Sequence, residues 1–260
     1  MLAYLTNIWR IRHFWLALVR NDLRSRYRRS LFGLGWSLLQ PVATTIVLCA
    51  VFAQVFGVGY RDYAPFLLIG LTFWGFITTV INHGCQTFLV GESYIRQHRV
   101  PLAIYPLRTT LSAGYHFLIG LSVAAVLIWC LKGVGSLPAL AGLVPALVLL
   151  MIFGWSLAVC TGVLNVLFHD TQHLLEILLQ ILFYMTPIIY PPSVLGGRNL
   201  GWAVQFNPLA VMIELIRPPL LEGRLPTPQI VGLSLLVTLA TLGVAAAMLK
   251  WCERRLVFYL

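Results

Sequence analysis

Two apolar segments of this 260-residue chain contain polar residues at helical spacing. The stronger stripe, in steps of three or four residues, consists of Asp170, His173, Glu176, Gln180, Tyr184 and Pro187. The weaker stripe consists of Ser37, Gln40, Thr44 and Gln54. Each set lies on one face of an α-helix. If these helices cross a membrane, each stripe lines a hydrated path or forms hydrogen bonds between packed helices, because polar groups are not left facing lipid.

For the stripe that contains Glu176 we favour a path, because ionisable residues inside a membrane are functional by default. For the weaker stripe both interpretations stay open, since uncharged Gln and Thr serve helix packing equally well. The predicted path-lining residues are Gln40, Thr44, Gln54, Glu176, Gln180 and Tyr184.

Acid–base or metal chemistry has one candidate location, the segment HDTQH at residues 169–173. His169 and His173 are four residues apart, which is a spacing of metal ligands. Two ligands are too few for a zinc site, and the glutamate of a zinc-protease HExxH is missing. We therefore predict no catalytic residue and no metal site. A membrane-embedded glycosyl- or acyltransferase, which would use Asp170 with these histidines, remains an alternative function.

Nucleotide hydrolysis by a P-loop is excluded. That motif needs Gly-Lys followed by Ser or Thr, and the two lysines of the chain, Lys132 and Lys250, each follow leucine. The chain also lacks the internal repeats and the intramembrane charge typical of ion-driven carriers. We predict a protein that is no enzyme and binds no cofactor; if it transports, a partner supplies the energy.

Composition places the stripes in a membrane. The chain is 59% hydrophobic and 10% charged, whereas soluble domains are about 25% charged. Several uncharged runs exceed the roughly 20 residues that cross a bilayer. The net charge of +10 does not indicate nucleic acid, because the arginines adjoin apolar runs, where topology and anionic lipid explain them. We predict an all-α polytopic membrane protein.

Six transmembrane helices are predicted, with both termini on one side. They are Trp36–Val58, Tyr63–Val90, Thr109–Leu131, Leu143–Phe168, Leu174–Tyr190 and Ile230–Leu249. Thirteen of the 18 Lys and Arg residues lie on the side of the termini. That side is therefore cytoplasmic, and the chain is a multi-pass protein of the cytoplasmic (inner) membrane.

Residues 1–30 are predicted to form an interfacial amphipathic helix on the cytoplasmic leaflet. Its apolar face consists of Leu5, Ile8, Trp9, Leu16, Val19, Leu23 and Tyr27. A basic, partly disordered leader is the alternative. Between the last two spans, residues 191–229 are apolar but interrupted by prolines and charges. This pattern favours two short re-entrant helices over a loop lying flat on the outer surface.

The loop Gly91–Arg108 is the best candidate for docking a protein on the cytoplasmic side. It mixes aromatic residues with arginines, a composition typical of protein contacts. An ordinary positive-inside loop is the alternative.

The chain resembles the membrane subunits of ABC-2 type exporters for polysaccharides, such as O antigen, capsular polysaccharide and teichoic acid. Four segments carry the resemblance: RYRRSLFGLGWSLLQP from residue 26, VLNVLFHD, TPIIYP and FNPLAVMIELIR. It implies that residues 31–260 form an ABC-2 transmembrane domain. A permease for a small lipid or drug remains an alternative, differing in substrate.

The resemblance also implies partners. Two copies would form a homodimer, and two copies of a separate ATPase would bind ATP and Mg²⁺. The coupling helix would lie at about Glu92–Arg99, with the coupling residues Glu92, Tyr94, Ile95, Arg96 and Arg99.

The substrate implied by the resemblance is a glycan on a lipid carrier such as polyprenyl diphosphate. Arginine is well suited to phosphate, so the diphosphate would be attracted by Arg24, Arg26, Arg28 and Arg29; contact with membrane lipids is the alternative role. The exit would be gated by the broken outer segment, with Pro191, Pro192, Trp202, Asn207 and Pro208.

Overall fold

The computed structural model describes residues 6, 8–28, 33, 35–97, 100–133, 137–191 and 207–252, without the side chains of 26, 27, 137 and 138. In this part of the chain the regular structure is helical. In chain order, the helices are α1 (Arg12–Tyr27), α2 (Gly35–Phe56), α3 (Tyr60–Val90), α4 (Glu92–Gln97), α5 (Ile104–Lys132), α6 (Leu137–Leu167), α7 (Thr171–Met185), α8 (Pro208–Glu214), α9 (Arg217–Leu221) and α10 (Pro228–Cys252).

Among the described residues, five helices are long and apolar enough to cross a bilayer. They are α2, α3, α5, residues Ala139–Leu167 of α6, and α10. Even the shortest, α2, has 22 residues, which at about 1.5 Å per residue exceeds the roughly 30 Å of hydrocarbon. The prediction of an all-α polytopic membrane protein is confirmed.

The predicted span Leu174–Tyr190 corresponds to α7, which has only 15 residues and a length of about 22 Å. The helix ends because Thr186 adopts extended backbone (φ −92°, ψ 136°), as expected for a residue that precedes a proline. Residues 186–190 continue as turns and bends. The end predicted at Tyr190 is therefore wrong by five residues, and a sixth spanning helix stays a prediction.

Helix α3 lies at the centre of the bundle and packs against α2, α5, α6 and α7. Its contact with α6 is close because small residues face each other. A Cβ added to Gly84 would lie 2.9 Å from the Cα of Ala158, and one added to Gly162 would lie 2.8 Å from the carbonyl oxygen of Gly84. In the same contact, Asn165 Nδ2 donates to the carbonyl of Cys85 at 3.0 Å.

Helix α1 packs on the bundle through a side that differs from the predicted apolar face. Phe14 and Trp15 pack against a buried core cluster of the bundle, and Leu18 is 9% exposed. On the predicted face, Trp9 and Leu16 are 66% and 48% exposed, whereas Ile8 packs against the same core cluster. The helix therefore has two apolar sides, and contact of the exposed one with a bilayer interface stays a prediction.

The segment predicted to be re-entrant contains two short helices, α8 and α9, within its described part. Their apolar residues belong to the main core, together with Phe73 of α3. These residues are Leu209, Met212, Ile213, Leu215, Ile216 and Leu220. The described part of this segment is thus packed into one end of the bundle and does not lie flat on its surface. Helices α1 and α4 lie at the opposite end, which we call the α4 end.

Candidate functional site

A cavity of about 590 Å³, the first cavity, lies between α2, α3, α5 and α7. Both polar stripes contribute to its lining. The contributing residues are Ser37, Gln40 and Thr44 from α2, and Glu176, Gln180 and Tyr184 from α7. Five of the six predicted path-lining residues are thus brought together by helices that are distant in sequence. Gln54 is exposed about 15 Å farther along α2 and does not contribute to this lining.

The wall of the first cavity also contains aromatic rings that contact one another. Trp74 and Phe183 lie with their ring centroids 5.3 Å apart, and Phe183 meets Tyr184 edge to face at 5.4 Å. Phe76 and Phe117 are 5.2 Å apart on the other side. The cavity therefore combines flat apolar surfaces with amide and hydroxyl groups, a combination suited to a hydroxyl-rich ligand.

Two polar atoms of residues in this wall have no hydrogen-bond partner among the described residues. They are Oγ1 of Thr72 and Oδ1 of Asn82, and both are buried. An unsatisfied buried polar group costs about 1–3 kcal/mol, so such groups indicate that water or a polar ligand occupies the space beside them. The lining thus has the polarity of a hydrated compartment.

Glu176 is the carboxylate in this lining. Its Oε1 accepts a hydrogen bond from Gln172 Nε2 at 3.1 Å, and its Oε2 lies 3.8 Å from His173 Nδ1. Gln172 in turn accepts a hydrogen bond from Gln86 of α3. These contacts fix the start of α7 against α3 and orient the carboxylate toward the cavity.

The residues required by the transferase alternative lie elsewhere. His169 and Asp170 are exposed between α6 and α7, and His173 is exposed in the first turn of α7. None of the three contributes to the lining of the first cavity. The side chain of His173 is 80% exposed. An acid–base site needs groups that converge on a substrate, so this placement does not favour transferase chemistry at HDTQH.

Helix α4 occupies the region predicted for coupling. Glu92 and Arg96 form an ion pair of 2.8 Å on its surface. Tyr94 is 43% exposed and meets the ring of Phe14 in α1 edge to face at 6.0 Å. Ile95, in contrast, is 8% exposed and belongs to the core at this end of the bundle. Of the predicted coupling residues, Ile95 therefore anchors the helix.

The remaining predicted residues at the α4 end are partly described. Arg24 and Arg28 are exposed near the end of α1. The side chain of Arg26 lies outside the described part of the structure, as do Arg29 and Arg99. The two described arginines leave a basic surface beside the bundle.

At the other end, Asn207 joins α8 to the turn after α7. Its Oδ1 accepts from the N–H of Leu209 at 2.9 Å and so caps α8. Its Nδ2 donates to Oγ1 of Thr186 at 2.8 Å. Pro208 is the exposed first residue of α8, and Pro191 is half-buried. Residues 192 and 202, the remaining two of the predicted gate, lie outside the described part.

Arg217 is a residue of this end that sequence reasoning missed as a site residue. It is 3% exposed, and its guanidinium lies 3.7 Å from the ring centroid of Phe66 in α3. Nη2 donates to the carbonyl of Ile188 at 3.5 Å, and Nη1 is 3.6 Å from Glu214. Gly70 leaves room for the group, because a Cβ there would be 3.0 Å from Nη2. Arg217 therefore connects α9, α3 and the turn after α7.

Comparison with known proteins gives several similarities. The chain matches the ABC-2 type transporter family over residues 13–221. It is 26% identical to the O-antigen export system permease protein RfbA of Klebsiella pneumoniae over 210 residues, 81% of each chain. The RfbA protein of Myxococcus xanthus is 26% identical over 234 residues, 88% of each chain. The polysialic acid transport protein KpsM of Escherichia coli is 21% identical over 240 residues, 91% of this chain and 92% of KpsM.

Proposed function

Because the chain belongs to the ABC-2 type transporter family, we propose that it is the membrane subunit of an ATP-driven exporter. Its substrate is a lipid-linked polysaccharide, an O antigen or a capsular polysaccharide, which it moves across the cytoplasmic membrane. The names of the relatives, two O-antigen permeases and a polysialic acid transport protein, support this substrate class. The work of transport, and not a chemical reaction, is the role of this subunit.

The first cavity is the observation that carries the proposal. It lies among α2, α3, α5 and α7 and offers hydroxyls, amides and aromatic faces. Such groups bind sugar hydroxyls individually and weakly, so a chain of sugars slides from one to the next. A site for an apolar drug or lipid needs few polar groups, whereas this cavity contains the amides of Gln40, Asn82 and Gln180, which makes that alternative less favourable.

A second copy of the chain completes the path. Both helices that carry the stripes expose apolar residues outside the first cavity. On α2 these are Ile46, Val47, Val51 and Val55, and on α7 they are Leu174, Ile177, Leu178 and Ile181. In a homodimer, part of this surface contacts the other copy and the remainder faces lipid.

Energy comes from two copies of a separate ATPase, which hold ATP and Mg²⁺. They dock at α4, where Tyr94 and Arg96 are exposed and Ile95 holds the helix to the core. The contact of Tyr94 with Phe14 extends this surface to α1. A movement of the ATPase at this surface therefore displaces both α4, which is anchored in the bundle, and α1.

The substrate arrives at the cytoplasmic side, where both termini lie. Arg24 and Arg28, with Arg26 and Arg29, attract the diphosphate of the lipid carrier through charge-assisted hydrogen bonds. Changing Arg24 and Arg28 to Glu turns attraction into repulsion, and we expect export to fall in a variant that inserts normally. Undiminished export would assign these arginines to lipid contact alone. At the exit, α8 and α9 with the predicted gate residues control release.

The experiment is a substitution that narrows the first cavity. Gln180→Trp adds bulk to its lining, and Leu236→Trp is the control because Leu236 is exposed on α10, away from the cavity. Export is measured as surface glycan in cells that produce the variant together with the ATPase. We expect Gln180→Trp to abolish export while the ATPase still co-purifies, and Leu236→Trp to change neither. Normal export by Gln180→Trp would contradict the proposal.

A further inference from the structure

A second cavity of about 490 Å³ lies at the α4 end, between α1, the last turns of α3 and the first turns of α5. Nine of its eleven lining residues have polar side chains, and Leu23 and Val90 are the apolar exceptions. The polar side chains include His83, Gln86, Thr109, Ser112 and His116. A cavity with so many polar side chains, at the end of two membrane helices, indicates a ligand that makes hydrogen bonds.

His116 belongs to the lining of both cavities. Its Nδ1 lies 3.2 Å from Oγ of Ser37, and Ser37 is itself part of the first cavity. The two cavities therefore adjoin at this imidazole. A ligand that leaves the second cavity toward the centre of the bundle passes His116 and reaches the stripe residues of α2.

The charges in the second cavity compensate each other. Arg108 donates from Nε and Nη2 to the two carboxylate oxygens of Asp22, which joins α5 to α1. The Arg108 side chain is 16% exposed and that of Asp22 is 27% exposed. A phosphate would have to compete with this bidentate partner for the guanidinium. The charge distribution thus favours a neutral ligand.

An unsatisfied hydroxyl supports the same ligand class. Oγ of Ser112 is buried without a hydrogen-bond partner in the described part of the chain. Nearby, the hydroxyls of Thr87 and Thr109 are 3.0 Å apart and share one hydrogen bond. Neutral groups that both donate and accept, with imidazoles and an amide beside them, match the hydroxyls of a sugar.

We propose that the second cavity is a binding site for neutral sugars, in which the glycan rests before it passes His116 into the first cavity. The inference rests on the proposed function and adds a loading site that is separate from the arginines of α1. The Asp22–Arg108 ion pair is a positioning device here: it holds α1 beside the site and withholds the guanidinium from anions.

Photo-crosslinking tests the site. Three variants each carry one photoreactive side chain. It replaces His83, which is exposed and lines the second cavity, or Gln180, which lines the first cavity. In the control variant it replaces Ser122, which is exposed on α5 outside both cavities. Inside-out membrane vesicles contain the complex with its ATPase and the strain's own lipid-linked glycan, labelled with a radioactive sugar. We expect crosslinks from position 83 without ATP, crosslinks from position 180 only with ATP, and none from position 122.

The crosslinking results at the three positions distinguish the sugar site in the second cavity from the proposed function as an exporter subunit. Crosslinks from position 180 with none from position 83 would overturn the second cavity as a sugar site and leave the proposed function intact. No crosslink from either position, with or without ATP, would overturn both. Equal crosslinks from positions 83 and 122 would also overturn the site, because crosslinking would then not depend on the second cavity.

A bulk substitution gives an independent measurement. Ser112→Trp fills the second cavity, and Ser122→Trp places the same side chain on an exposed face of the same helix. We expect at least a tenfold loss of export for Ser112→Trp and wild-type export for Ser122→Trp, with unchanged co-purification of the ATPase. Wild-type export by a folded Ser112→Trp variant would overturn the inference.

Discussion

Gly75 provides a clean way to narrow the first cavity without disturbing the fold. It lies on α3 in the wall of that cavity, and a Cβ added there would meet no atom within 4 Å. Replacing glycine inside a helix by a residue with a side chain stabilises the helix by about 0.5–1 kcal/mol. Gly75→Leu should therefore fold as well as the natural protein, with its side chain in the path.

The size of the obstruction follows from the cavity. Removing a leucine side chain from a core leaves a cavity of about 150 Å³, so the added group fills roughly a quarter of the 590 Å³ cavity. A sugar chain cannot avoid this obstruction if the cavity is its path. We expect export to fall at least tenfold, which corresponds to about 1.4 kcal/mol in the barrier.

The assay is the initial rate at which labelled glycan appears at the cell surface, normalised to the amount of complex in the membrane. Gly243→Leu is the matched control, because Gly243 lies on α10 and a Cβ there also meets no atom within 4 Å. Its side chain projects outside the cavity. ATPase association should be unchanged in both variants.

Export by Gly75→Leu at the rate of Gly243→Leu would refute the reasoning, because the glycan would then bypass the wall formed by α3. Loss of the purified complex in Gly75→Leu alone would equally contradict the open space at this position.

Three further predictions concern the supporting structure. Gly84→Ala should destabilise the purified protein by about 1–3 kcal/mol, because the alanine Cβ would lie 2.9 Å from the Cα of Ala158. Gly243→Ala should cause no such loss, and unfolding in detergent measures the stability of both variants. Arg217→Lys should lower the free energy of unfolding by about 0.5–2 kcal/mol in the same assay, since lysine lacks the planar group that stacks on Phe66. Unchanged stability would argue against the stacking. Tyr94→Ala with Arg96→Ala should reduce co-purification of the ATPase without loss of thermal stability, and intact association would place the contact elsewhere.

Much of the membrane domain could be predicted from the chain. Uncharged runs mark the five long helices, and the span predicted at Tyr63–Val90 differs from α3 by three residues at its start. The resemblance carried by RYRRSLFGLGWSLLQP is confirmed by the match to the family. Helical spacing also identified residues of α2 and α7 that share a cavity, because a polar stripe has few places to face in a membrane protein.

Other features depend on contacts that spacing does not reveal. The second apolar side of α1 becomes apparent only where Phe14 and Trp15 meet the bundle. In the sequence, Arg217 is one of the charges that interrupt an apolar segment, whereas its contacts depend on Phe66 and Gly70, about 150 residues earlier in the chain. A charged residue directly before two prolines in an apolar segment was the available signal.

The end of α7 depends on a local backbone effect. The apolar residues Ile188 and Ile189 continue the hydrophobic pattern, so this pattern alone predicts a span that ends at Tyr190. Pro187 nevertheless disfavours helical backbone at Thr186. The freed turn then hydrogen-bonds to Asn207 and Arg217, contacts that require the folded end of the bundle.

Thiol protection on α7 tests most directly whether the glycan occupies the first cavity. The native cysteines are replaced, and a single cysteine is placed at Gln180 in the lining or at Leu178, which is exposed outside it. A charged thiol reagent modifies accessible thiolates in the complex with its ATPase. We expect modification of Gln180→Cys that is suppressed when ATP and lipid-linked glycan are added together, and little modification of Leu178→Cys under either condition. Modification of Gln180→Cys that is unaffected by the moving glycan would contradict the assignment of this cavity as the path.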